Sequence, residues 1–154
     1  MNNKYYQHKK LKPNNNKLMI YRFFIYGLCG WNVEVLWTGL CALIKSGDYN
    51  MMGHTSVWMF FIYGAGGLLL ERIHNSISGL RWWERGTVWM YSIFIIELLS
   101  GFLLSLINIY PWKYEGIFSV GGFIRLDYAP LWFTLGMVFE LLKNKACMIT
   151  KSST

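Results

Sequence analysis

LMIYRFFIYGLCGWNVEVLWTGLCALI, from Leu18 to Ile44, decides the fold: it carries only Arg22 and Glu34 as charges. Crossing the hydrocarbon core of a bilayer takes about 20 mostly apolar residues, so this run reads as a membrane span. It is too long for a signal h-region, and no small-residue cleavage site follows it, so it reads as a retained anchor. Thr87 to Ile109, with Glu97 as its one charge, gives a second span of the same quality. Val57 to Ile73 is marginal in length. Ala129 to Leu142, holding only Glu140, falls short of a full crossing.

Charge sets the orientation. Cytosolic loops carry an excess of Lys and Arg. Lys4, Lys9, Lys10, Lys12, Lys17 and Arg22 precede or open the first run. Arg72, Arg81 and Arg85 lie between the second and third, and Lys143, Lys145 and Lys151 follow the fourth. Only Lys45, Lys113 and Arg125 fall on the other side. Four spans with both termini in the cytosol satisfy this split, and an odd number would not. The net charge of +7 is then a topology signal rather than a nucleic-acid signal.

The expected organisation is all-α: an integral membrane four-helix bundle spanning 18–142, with spans at about 18–44, 57–73, 87–109 and 129–142. A polar, basic, disordered cytosolic tail at 1–17 and a cytosolic tail at 143–154 flank it. Trp82 and Trp83, set between Arg81 and Arg85, suit the headgroup level. Tyr110 to Tyr128 is the longest connection. Its uncharged stretch Gly116 to Ile124 should fold back onto the bundle, where protein can bury irregular backbone.

A parallel 2+2 helix repeat is a further expectation. Arg22 precedes Glu34 by the same interval as Arg85 precedes Glu97. Gly67 precedes Glu71 as Gly136 precedes Glu140. Both halves begin on the same side, as in transporters built from parallel repeats.

Each span thus holds one glutamate. Ionisable groups inside a membrane are costly and face the bundle interior or a wet cavity. Glu34 and Glu97 each lie about 18 Å along a helix from Arg22 and Arg85, near the midplane. Glu71 and Glu140 lie near the cytosolic surface. In the first span Gly27, Gly30, Glu34, Thr38 and Cys41 share a face; in the third, Glu97, Ser100, Gly101 and Asn108 do. Small and polar residues of this kind suit close contact between membrane helices. If those two faces met, Glu34 and Glu97 would form one ion, proton or ligand site, with a proton, a cation or a basic partner between the carboxylates. The competing reading makes the carboxylates structural, paired with arginines or aromatic hydroxyls. Glu71, Glu140, Arg72, His74, Arg125 and Asp127 are secondary candidates, with Arg125 and Asp127 able to pair at the outer rim. His54 and His74 fall at opposite membrane faces.

Glu71 to His74 gives one Glu-x-x-His where a di-iron bundle needs two, so no metal is expected. Cys29, Cys41 and Cys147 form no CxxC pair and read as small packing residues. There is no phosphate-binding P-loop, no G-x-S-x-G and no H-E-x-x-H, so neither an enzyme nor a cofactor is indicated.

Several strings occur in order: Tyr26 to Trp31, Glu34 to Trp37, Gly53 to Ser56, Trp58 to Gly64, Glu71 to His74, Arg81 to Trp83, Glu97 with Gly101, Pro111-Trp112, and Arg125 to Trp132. Together they resemble the ABC-transporter type IV (CmpB-like) membrane family, which is similar to the transmembrane protein 229 family. The resemblance covers about Tyr21 to Leu142. It implies a multi-pass cell-membrane protein with a permease role. It carries no residue roles, and an ABC mechanism would require a separate ATPase subunit, since this chain has no ATPase domain. The expected function is therefore a transporter or permease component in the lipid bilayer, alone or as a homo-oligomer. A non-transporting membrane scaffold or interaction protein is the alternative, and a lipid-modifying enzyme comes third.

Overall fold

The computed structural model describes residues 15–47 and 49–152, with side chains for 16–47 and 49–144. Four helices dominate it: α1 (Asn15–Ser46), α2 (Val57–Ile77), α3 (Trp82–Ser105) and α4 (Ala129–Ser152). A two-stranded hairpin, β1 (Ser119–Val120) with β2 (Ile124–Arg125), and a 3-10 turn (Leu126–Tyr128) precede α4.

Local chemistry sets the ends of the elements. α1 stops at Gly47, whose φ of +68° lets its N–H bond back to the Leu43 carbonyl at 2.8 Å. The Ser56 hydroxyl caps α2 by accepting from the Trp58 N–H. At the start of α3 the Glu84 carboxylate accepts from the Arg81 N–H at 2.8 Å. Asn108, at φ +58°, ends the turn after α3. Pro130 sits in the first turn of α4, where its missing N–H costs nothing.

Some boundaries differ from expectation. α1 takes in Lys17, which belongs to the helix rather than to a tail; residues 1–14 of that expected tail lie outside the described residues. α4 continues well past Leu142, so Lys143, Lys145 and Lys151 are helical. Apolarity marks where a helix can meet hydrocarbon, not where it stops, and nothing before Ser152 breaks this one. At about 1.5 Å per residue even α2, with 21 residues, is about 31 Å long. Two helices, α1 and α3, are long and apolar enough to cross a membrane.

α1 packs chiefly on α2, and α3 chiefly on α4. The expected meeting of the α1 and α3 glycine faces is not what occurs. A Cβ on Gly27 would fall 2.7 Å from the Phe60 ring, and Gly30 faces Tyr63, so that face seats α2. The short connection makes α1 and α2 antiparallel neighbours, and α2 supplies the aromatic rings that the α1 glycines admit. Gly101 of α3 instead receives Phe123 from the hairpin.

Contacts recur between the two hairpins of helices. Arg22 meets Glu71, and Arg85 meets Glu140. Tyr26 lies over Gly67, and Trp89 over Gly136. The Phe23 ring lies on Gly64, while at the equivalent pair the ring and the glycine are exchanged, as Phe133 on Gly86. Tyr63 donates to Glu34, and Trp132 to Glu97. One constant offset carries each α1 residue onto its α3 counterpart, and a slightly longer one carries α2 onto α4.

Polarity is turned inward. Trp89 is fully buried and Glu140 is 7% exposed, whereas Leu36 is 65% and Leu103 60% exposed. Cys29 also faces outward, contrary to a packing role.

Candidate functional site

Two layers of carboxylates lie along the bundle, and their partners differ in kind. In the layer near the α2–α3 turn, Glu71 accepts from Arg22 Nη1 at 3.1 Å, and Lys143 Nζ stands 3.8 Å away. Lys143 also donates to the Glu71 carbonyl at 2.9 Å, tying α4 to α2. Glu140 accepts from Arg85 Nε at 2.9 Å and from the Trp89 indole at 3.1 Å. These two glutamates are ion-paired braces between helices.

The inner layer is held differently. Glu34, half-buried on α1, accepts from the Tyr63 hydroxyl of α2. Glu97, half-buried on α3, accepts from the Tyr114 hydroxyl at 3.1 Å and from the Trp132 indole at 3.0 Å. Among the described residues neither carboxylate has a Lys, Arg or His partner. Neutral donors can hold a carboxylate, but they leave its charge uncompensated. That leaves room for a proton or an added cation, which the Arg-paired layer does not need.

Tyr114 completes this layer from outside the helices. Burial first, then the neighbouring Glu97 carboxylate, pushes its hydroxyl above the ordinary phenol range, so it stays a donor. The hairpin holds it there. The Tyr114 N–H bonds to the Gly122 carbonyl at 2.9 Å, and the Trp112 indole donates to the Phe123 carbonyl at 2.9 Å. Gly121 and Gly122, at φ +62° and +78°, make the turn. Phe123 and the buried Ile124 fold back onto α3 as the sequence suggested. The stretch before β1 does not: Ile117 is 93% exposed. The composition of Gly116 to Ile124 is uniform, and only the glycine turn separates its packed end from its free one.

The secondary candidates scatter. Arg125 donates from Nε to Asp127 Oδ1 at 3.0 Å, pairs through a second nitrogen, and lies 4.9 Å over the Tyr128 ring. That hydrogen-bonded pairing holds the Asp127 carboxyl below its usual range and raises Arg125. The clasp braces the start of α4. The His74 ring stacks on Trp89 at 6.2 Å, with its buried Nδ1 unpartnered among the described residues. Arg72 is exposed; its carbonyl accepts from the Ser76 hydroxyl, and its guanidinium bonds to no described residue. His54 meets α1 through its backbone, its N–H donating to the Thr38 hydroxyl at 2.8 Å. Tyr63, Tyr114 and Trp132 are the site residues that sequence reasoning missed. The repeat could have exposed two of them, since Tyr63 and Trp132 stand at equivalent positions eight residues before Glu71 and Glu140.

No group of His, Cys, Asp and Glu suited to a metal occurs among the described residues. No family model matches this chain, and no solved structure matches it.

Proposed function

We propose that the chain is a multi-pass membrane protein of four spans and a 2+2 repeat, with both termini cytosolic. It acts as a transporter or permease component that passes a proton or small cation by way of Glu34 and Glu97. One observation carries this: among the described residues the two inner carboxylates are held only by neutral Tyr and Trp donors, while the other two are neutralised by Arg and Lys. Intramembrane carboxylates without a built-in counter-ion suit proton relays and cation pathways. Apolar residues spread all round α1 and α3 support the membrane setting, as does the small buried share of their spanning windows, 11% and 17%. The resemblance to the CmpB-like permease family points the same way, and coupling to ATP would use a separate ATPase subunit. The non-transporting scaffold is the second reading, favoured by the fact that all four glutamates are hydrogen-bonded within the fold.

Proteoliposomes test it. Purified protein should move protons or monovalent cations down an imposed gradient. Glu34→Gln and Glu97→Gln should each abolish that flux while keeping the melting temperature, because Gln keeps the shape and loses the charge. Flux indistinguishable from empty liposomes would favour the scaffold.

A further inference from the structure

Where α1 begins and α2 ends, the two helices leave an open cleft of about 340 Å³. Arg22, Glu71, Arg72 and Asn75 line it beside apolar Leu18, Met19 and Leu68. Glu71 is already neutralised by Arg22 and by Lys143. Arg72 is a surplus cation, its guanidinium bonded to no described residue. The second half of the molecule serves as an internal control. It keeps the ion pair as Arg85 with Glu140, but Leu141 stands where Arg72 does. The brace therefore does not need an arginine at that place.

We propose that this cleft binds a phosphate-bearing anion, the headgroup of an anionic phospholipid, with Arg72 as its principal contact. A guanidinium offers a planar fork that matches phosphate oxygens. The net charge of the lining together with Lys143 is positive, which selects an anion over a neutral headgroup. Leu18, Met19 and Leu68 give the first carbons of an acyl chain an apolar wall. Trp82 and Trp83, 63% and 48% exposed at the same end of the bundle, mark the headgroup level. The inference rests on the membrane reading above but not on transport.

Lipid retention tests it. The purified full chain is relipidated with equal phosphatidylglycerol and phosphatidylcholine, and bound lipid is identified by native mass spectrometry. Wild type should retain phosphatidylglycerol preferentially. Arg72→Leu, which installs the residue of the equivalent position, should lower that preference about fivefold, the factor for one basic residue near an anionic surface. Arg72→Gln should do the same and guards against aggregation of the leucine variant. In a second arm, inorganic phosphate is added to lipid-free, detergent-solubilised protein. A melting-temperature rise that needs Arg72 would support the anion site and assign it to soluble phosphate. Equal retention of both lipids, or a preference unchanged in both variants, together with no phosphate effect, overturns the proposal. Flotation with vesicles separates the two levels. A chain that floats yet shows no Arg72-dependent preference loses this site and keeps its membrane setting; a chain that does not float loses both.

Discussion

Gly136→Ala should destabilise the bundle, and the structure sets both sign and size. A Cβ at Gly136 would fall within 2.6 Å of Trp89 Cγ and closer still to its Cβ. Those atoms are the root of the side chain, so they move only with the α3 backbone. Trp89 is fully buried and pinned by its indole bond to Glu140, so no rotamer offers escape. Overpacking of this kind costs about 1–3 kcal/mol. Alanine returns about 1 kcal/mol of helix propensity over glycine. With a rigid obstacle the upper part of the first range applies, leaving a net loss of about 1–2 kcal/mol. Gly66→Ala is the control. Its nearest neighbour is Ile96 at 3.6 Å, an ordinary contact, so the propensity gain should stand alone. Thermal unfolding in detergent should place Gly136→Ala roughly 2–8 °C below wild type. Gly66→Ala should lie level with wild type or above it. Gly67→Ala, against Tyr26 Cγ at 2.5 Å, should follow Gly136→Ala. If Gly136→Ala melted at or above wild type, the close seating of α4 on Trp89 would be wrong.

Glu140→Gln leaves Arg85 without its carboxylate at a site where the Glu140 side chain is 9% and the Arg85 side chain 21% exposed, so a loss of about 3 kcal/mol is expected in denaturant titrations. Arg22→Gln, in a pair whose arginine is 45% exposed, should cost less than about 1 kcal/mol in the same assay. Asp127 has a depressed folded pKa, so its stabilisation is present above the ordinary value of 3.8 and lost as pH falls through the folded value. Melting curves of wild type and Asp127→Asn should accordingly converge below about pH 4 and separate above it. A gap that widens on acidification would contradict the clasp. Reporter fusions within 74–81 should read cytosolic and fusions within 115–122 external; the reverse would overturn the orientation.

Much of the helical plan was legible because charge and apolarity act on long segments. Each apolar run became a helix, and the matched Arg–Glu and Gly–Glu intervals marked contacts that recur in space. What escaped had specific causes. The pairing of α1 with α2 depended on Phe60 and Tyr63 fitting over Gly27 and Gly30, a shape relation that composition does not encode. Tyr114 reaches Glu97 only because two positive-φ glycines fold the hairpin back. The difference between the two carboxylate layers could not be seen until each partner was known, since all four glutamates sit in similarly apolar runs. The hairpin itself, two residues per strand, is too short to leave an alternating pattern.

Carboxyl reactivity of the protein in liposomes distinguishes the layers directly. Dicyclohexylcarbodiimide partitions into bilayers and modifies carboxyl groups that can take up a proton in an apolar setting, and mass mapping locates the adduct. Glu34 and Glu97, held by neutral donors, should be labelled, and labelling should fall as pH is raised or a competing cation is added. Glu71 and Glu140, locked to Arg22 and Arg85, should stay unmodified. Adducts confined to Glu71 and Glu140, or equal labelling of all four, would contradict a proton- or cation-binding inner pair.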